Sequence, residues 1–451
     1  MIHGPTYSEM RDPSRLPEEL KGRARAARRE APLDPVNLFN ITWHEEDGRV
    51  RALRLPEALT GVPAPIVLLY AKDFPTGAHK VGATYSVLME HQLAGDVTPG
   101  ASTLVWPSTG NYGIGGAWVG PRMGYKSVVI LPEDMSAERF EKIAAYGATA
   151  IKTPGCESNV KEIYDECHRL AADPKVRIMN QFAEMANYRW HYHVTGAAAA
   201  EAVEALGAGR PAAFVSAMGS AGTIAAGDAL KVRFGTRIVG LEPVQCPTLS
   251  CNGYGGHAIE GIGDKHVTWI HHVTNMDAMM CIDDEECLLG LQLVADAAGR
   301  DFLAAGGGLG KTALALSTLL GVSGVCNVLG AIKTAKWLRL GKDDAVVTVA
   351  TDSLDRYPSV LKRLAARTGP LTSDQAEARL ASVFHGQKLD WVFEGTRDSR
   401  ERWHNLKYFT WVEQQGKTVA ELDAQRSESW WSDEAALAED VDARLRKARG
   451  W

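Results

Sequence analysis

Four short segments of this chain combine residue types that could do chemistry together. Pro75-Thr76-Gly77-Ala78-His79-Lys80 is turn-rich and ends in a lysine where a helical pattern starts. A lone lysine is ordinarily a surface residue. An amine that is placed and partly withdrawn from water can instead form a Schiff base with an aldehyde. Ser108-Thr109-Gly110-Asn111-Tyr112-Gly113 lies between a strand-like run and a helical one. It reads either as a capped turn or as hydroxyls and helix-start N–H groups that hold an anion such as a carboxylate. Gly219-Ser220-Ala221-Gly222-Thr223 occupies the same kind of position. Its small residues and free N–H groups suit a phosphate. Asp352-Ser353 directly follows a β-branched run, at a strand's carboxyl end, where ligand contacts concentrate.

These segments need a scaffold that alternates strands and helices, and the pattern is present. Runs at 103–106, 127–131 and 149–153 read as strands, with helical stretches from Ser136 to Gly147 and around 160–170. The alternation resumes with strands at 212–216, 237–241 and 345–350. Consecutive βα units predict parallel sheets flanked by helices, an α/β protein in two halves with the ligand in the cleft between them. The expected division is an N-terminal arm at 1–50, one α/β domain at 51–195, a second at 196–365, and a helical extension at 366–451. That extension holds Trp391, Trp403, Trp411, Trp430, Trp431 and Trp451, six of the twelve tryptophans. Aromatic surface on that scale should pack on the body of the protein.

Taken in order, the four segments resemble the fold-type-II pyridoxal phosphate enzymes, the tryptophan synthase β family, and within it the cysteine synthase and cystathionine β-synthase branch. The likeness runs from about Ala71 to Ser359. It includes Asn180-Gln181-Phe182, Gly261-Ile262-Gly263, Gly321-Val322-Ser323-Gly324 and Asp352-Ser353-Leu354-Asp355-Arg356-Tyr357. The resemblance implies pyridoxal 5'-phosphate bound as a Schiff base on Lys80, with Lys80 also moving the Cα proton. It implies that Asn111 meets the ring hydroxyl, that Gly219, Ser220, Ala221, Gly222 and Thr223 cradle the phosphate, and that Ser353 faces the pyridine nitrogen. Ser108, Thr109, Gly110, Tyr112 and Gln181 would then form the substrate side. A neutral hydroxyl at the ring nitrogen makes a weaker electron sink than a carboxylate partner would, which favours loss of a β-substituent over transamination.

The implied activity is β-elimination or β-replacement on a small L-amino acid with a leaving group. Threonine synthase or serine/threonine dehydratase chemistry is the enzymatic alternative, and a non-catalytic cofactor or amino-acid sensor is the alternative of another class. A homodimer and closure of the half that carries the Asn111 loop are implied as well. The sequence also departs from the family pattern. Ala221 stands where glycine is usual and is tolerable at negative φ. Tyr112 replaces a small hydroxyl residue, Gly77-Ala78-His79-Lys80 looks more like tryptophan synthase β chains, and 302–320 reads as an insertion.

Composition sets the remaining expectations. A formal net charge of -6 gives no reason to expect nucleic acid or an anionic membrane as partner. No window approaches the roughly 20 apolar residues of a membrane span. Seven cysteines without a CxxC pair suit reduced thiols and a cytoplasmic setting, with Cys246 and Cys251 read as buried free thiols. His191, His193, His271 and His272 lack neighbouring ligands at metal spacing, so no metal is expected. Gly306-Gly307-Gly308-Leu309-Gly310-Lys311-Thr312 has Ala305 where a Walker loop needs glycine, and Gly113-Ile114-Gly115-Gly116 lacks a third dinucleotide glycine. ATP and NAD are therefore not expected.

Overall fold

β1 (Ala52–Leu55) and β2 (Ile66–Tyr70) come first and pair antiparallel in this computed structural model, which describes residues 2–108, 110–155 and 159–450. β3 (Thr103–Pro107), β4 (Lys126–Pro132), β5 (Thr149–Thr153) and β6 (Val176–Ile178) then form a parallel four-stranded sheet in the order β5-β4-β3-β6. β7 (Arg210–Ala217), β8 (Arg237–Pro243), β9 (Ala278–Ile282), β10 (Asp344–Ala350) and β11 (Val392–Glu394) follow. They join the first two strands in a seven-stranded sheet, β1-β2-β10-β7-β8-β9-β11. Its interior pairs are parallel, and the edge strands β1 and β11 run antiparallel to their neighbours.

The expected α/β class is therefore present, but the two sheets do not divide the chain at residue 195. β2 lies beside β10, with Val346 opposite Ile66 and Ala350 opposite Tyr70. The chain thus starts in the large sheet, crosses to the small one at β3 and returns at β7. The cause is legible in β2 itself. Ile66-Val67-Leu68-Leu69 is apolar on both faces and fully buried, as a central parallel strand must be. In edge strand β5, by contrast, only Thr153 is buried and the other four residues are exposed or half-buried.

The stretch read as an insertion, 302–320, holds the end of helix Ala297–Ala304 and all of helix Lys311–Leu319. Leu303, Leu309, Ala313 and Leu316 from this region are buried in the core of the large sheet's half. The glycines between the two helices therefore make a turn.

Both termini wrap the body. From the N-terminal arm, Tyr7, Met10, Leu38, Ile41 and Trp43 are buried in the same core as β3 and helix Lys80–Ala94. The last helix, Glu428–Arg449, closes over the arm. The Tyr7 backbone N–H donates to Asp442 Oδ1 at 2.7 Å, and the buried Glu9 and Arg449 pair at 2.6 Å. Trp403, Trp411 and Trp431 are buried, as the extension's aromatic content predicts, whereas Trp391 is 40% exposed. Trp451 lies outside the described residues. Lys407, fully buried, donates to the carbonyls of Trp269 and His271 at 2.9 and 2.7 Å, while Trp411 Nε1 donates to the Val267 carbonyl at 2.8 Å. The extension thereby braces residues 267–271.

Candidate active site

The segments that follow β2, β3, β7 and β10 line one cavity. Lys80 reaches it from the first residue of helix Lys80–Ala94. Its Nζ donates to Ser220 Oγ at 2.8 Å. Ser220 is held in turn by Asn187 Nδ2 at 3.1 Å and by the Thr268 hydroxyl, which donates to the Ser220 carbonyl at 2.8 Å. Burial pulls the Lys80 ammonium down to about 8, while the negative charge of Asp264 acts in the opposite direction. Roughly a tenth of the amine is then uncharged at pH 7, far more than for a lysine in water. This is the reactive form toward an aldehyde.

The 219–223 loop links β7 to a short 3-10 turn, Gly222–Ile224, and then to helix Ala225–Phe234. The loop thus stands at a helix start, where anions are commonly held. A Cβ on Gly219 would come within 2.8 Å of the Gly261 carbonyl oxygen, so the approach there excludes any side chain. Ala221 departs from expectation. Its φ is +60°, the left-handed region, not the negative φ that would make alanine easy to place. The turn into the helix imposes that conformation, at a cost of about 1 kcal/mol for a residue with a Cβ. Ala221→Gly should therefore raise the melting temperature of the cofactor-free protein by a few degrees. An unchanged or lower value in differential scanning calorimetry would show that Ala221 is not strained.

Thr223, also in the cavity wall, is fixed by His79. His79 Nδ1 lies 3.0 Å from the Thr351 carbonyl and its Nε2 lies 3.1 Å from Thr223 Oγ1. A carbonyl can only accept, so Nδ1 carries the proton and Nε2 accepts from the threonine. Burial, aided by the charge of Lys80, holds His79 down to about 3, in keeping with a neutral ring.

On the opposite side, Ser108, Gly110, Asn111, Tyr112 and Gln181 line the cavity. Ser108 Oγ accepts from the backbone N–H groups of Gly110 and Gly113 at 2.9 and 2.7 Å, so the capped-turn reading of this loop holds. The Asn111 amide is gripped from behind. Its Nδ2 donates to Asp352 Oδ2 at 2.6 Å and its Oδ1 accepts from Arg356 Nε at 2.8 Å, which leaves one N–H to meet a ligand. The Tyr112 hydroxyl is buried and has no hydrogen-bond partner among the described residues. Thr109 lies outside the described residues.

Two expected cradle and ring contacts sit elsewhere. Gly222 belongs to the loop but not to the cavity wall, and Ser353 is turned away. The Ser353 hydroxyl donates to Asp355 at 2.6 Å. The chain bends at residue 352, where the buried Asp352 carboxylate is taken up by Asn111 and by the Tyr357 hydroxyl at 2.7 Å, and this carries the next side chain out of the cleft. Ser323 and Thr351 stand in the wall instead, their hydroxyls 2.7 Å apart. Ser323 lies within Gly321-Val322-Ser323-Gly324, a motif visible in the sequence but given no role there.

Sequence reasoning also missed a charged network behind the Asn111 loop. Arg139, fully buried, pairs with Glu260 at 2.8 Å and donates to the Tyr357 hydroxyl at 3.2 Å. Arg356 completes it by donating to the Thr76 carbonyl. Other features fall outside the site. His191 meets Thr195 and His193 meets the Ala435 carbonyl, both structural contacts. Cys246 is buried as expected but Cys251 is exposed, at the end of the short helix Thr248–Cys251 whose other three residues are buried. Among the described residues no three His, Cys, Asp or Glu side chains form a metal-binding group, and no helix is long and apolar enough to cross a membrane.

An aldehyde that also carries a phosphate would find an amine with a lowered proton affinity, a small-residue loop at a helix start, and a neutral hydroxyl pair at the other end of the cavity. Those donors fit pyridoxal phosphate, and comparison with known proteins agrees. Residues 50–352, more than half of the chain, match the family model described as "Pyridoxal-phosphate dependent enzyme". A "Probable cysteine synthase" of Bacillus subtilis is 32% identical over 288 residues, covering 63% of this chain and 85% of the relative. A cysteine synthase of Staphylococcus aureus is 29% identical over 287 residues, with 63% and 84% covered. Among solved structures, the O-acetylserine dependent cystathionine beta-synthase from Helicobacter pylori is 26% identical with a TM-score of 0.57, covering 69% of this chain and 95% of that one. Cavity, cradle and sequence agree that the chain belongs to the fold-type-II pyridoxal phosphate-dependent enzymes and is a homologue of the cysteine synthases.

Proposed function

We propose that this enzyme replaces or eliminates the β-substituent of a small L-amino acid, in the manner of a cysteine synthase. The observation that carries the reading is the pairing of a buried Lys80 amine with an uncharged far wall made by Ser323 and Thr351. Pyridoxal phosphate, when bound, supplies the electron sink that lets the Cα–H bond break and a β-leaving group depart. Ser323 is the proposed partner of the ring nitrogen in place of Ser353. A hydroxyl there does not hold a positive ring, which disfavours transamination. Lys80 would hold the cofactor through its amine and would carry the proton taken from the substrate's Cα. Its lowered proton affinity suits that task near neutral pH. The N–H groups of the 219–223 loop take the phosphate. The Ser108 turn and Gln181 take the substrate carboxylate, and the remaining N–H of Asn111 takes the ring hydroxyl.

The test is to incubate the cofactor-loaded enzyme separately with O-acetylserine, cysteine, serine and O-phosphohomoserine. The expected result is a shift of the violet absorption band with O-acetylserine or cysteine, and release of acetate or sulfide. Turnover of O-phosphohomoserine alone would move the assignment to threonine synthase chemistry. Binding without consumption of any of them would mark a sensor.

A further inference from the structure

Asp264 directly follows Gly261-Ile262-Gly263 and plays no part in the roles above. It is 5% exposed, and neither carboxyl oxygen has a hydrogen-bond partner among the described residues. A buried carboxylate without donors is costly, and proteins seldom keep one without a use. Gly261 and Ile262, just before it, line the Lys80 cavity. Asp264 lines a narrow adjoining space that shares Gly219 and Ala221 with that cavity.

The other titratable groups at this space are either hydrogen-bonded or held neutral. Glu242 accepts from the backbone of Leu249 and Ser250 and from the Ser250 hydroxyl. Burial holds His266 down to about 4 and His271 well below the usual histidine range, so both rings are neutral. Burial, joined by the charge of Asp264, raises the proton affinity of Tyr164 and Cys246, so both stay neutral near pH 7. Lys80 is the cation that faces Asp264. Burial pushes the Asp264 carboxyl up to about 7, with Lys80 opposing, which leaves it able to gain or lose a proton near neutrality.

We infer that Asp264 is the base that accepts the proton of the incoming nucleophile. The proposal rests on the β-replacement reading above and names the step that reading leaves without a residue. The leaving group departs with its bonding pair. A thiol or water supplies the pair for the new C–S or C–O bond, and its proton passes to the Asp264 carboxylate. Lys80 removes the α-proton and returns it. Sulfide is already present in large part as the hydrosulfide anion near neutrality and needs far less help than a thiol, so Asp264 would extend the enzyme's range to nucleophiles that arrive protonated.

The experiment compares wild-type and Asp264→Asn holoenzymes at pH 7 with O-acetylserine and either hydrosulfide or 2-mercaptoethanol. A changed Lys80 proton affinity acts on acetate release and on both nucleophiles alike, so the readout is the ratio of thiol to hydrosulfide turnover, measured against acetate release. That ratio should fall by about 10²-fold, and the deficit should shrink as pH approaches the thiol's own pKa. Asp264→Glu should restore part of the loss. A second readout needs no turnover. Asp264 raises the proton affinity of Lys80, so the pH midpoint for cofactor uptake by the apoprotein should move below about 8 in Asp264→Asn. Equal slowing of both nucleophiles, or no change with the thiol, overturns the proposal. Asp264→Ala, which leaves no amide to form new hydrogen bonds, repeats the test should the asparagine variant be poorly folded. A wild-type enzyme that releases no leaving group from any β-substituted amino acid overturns the underlying reading, and this one with it.

Discussion

Lys80→Ala is expected to abolish the violet absorbance of the cofactor-loaded protein and to lower turnover by about 10³-fold or more, since nucleophile and proton carrier vanish together. Borohydride treatment should label Lys80 in the wild type and no lysine in the variant. The fold should survive, because the substitution removes a buried amine whose charged form burial already disfavours. A folded variant with full turnover would sink the assignment. The same shift gives a signed pH dependence. The folded-state value lies below that of a lysine in water, and the uncharged form is the reactive one. Cofactor uptake by the apoprotein should therefore accelerate about fivefold between pH 7 and pH 8 and level off above about 9, as followed by absorbance. A rate still climbing steeply at pH 10 would mean that burial does not depress this amine.

The second large effect is expected behind the site. Arg139→Ala should lower stability by about 3–5 kcal/mol, read as a drop in the urea midpoint, because Glu260 and Asp352 would be left buried without their cation. Asp352 and Arg356 fix both ends of the Asn111 amide, so loosening the network also releases that loop. A displacement of about 1 Å there would cost roughly 10²-fold in kcat/KM. Arg139→Lys keeps the charge but loses the planar fork, so it should recover part of the stability and less of the rate. Unchanged urea and kinetic midpoints in Arg139→Ala would show that the network does not hold the loop.

The sequence made Lys80, the Ser108 turn and the 219–223 loop legible because each sits where a strand hands over to a helix, and such junctions have a local signature. β4, β5 and helix Val160–Leu170 were visible for the same reason. The sheet partner of β2 was not, since a buried apolar run is the same string beside β3 or beside β10. Ser353 was read as a contact by its adjacency to β10. The bend at Asp352 that turns it away is set by Asn111 and Tyr357, and Asn111 is 241 residues distant in the chain. Asp264 and Arg139 escaped for a related reason. Their meaning lies in what does or does not surround them once buried, and sequence spacing carries no record of missing or distant partners.

The clasp between the chain's two ends has a consequence for how the protein is made. Asp442, which receives the N–H groups of Tyr7 and Ser8, is 435 residues from Tyr7. A ribosome adding 5–20 residues per second would take about 20–90 s to cover that interval. Throughout it, the first helix, with Tyr7 and Met10, lacks the cover it will finally have. Nascent chains stalled before the last helix emerges should thus be the aggregation-prone species, and a holdase chaperone should meet them at their amino-terminal end.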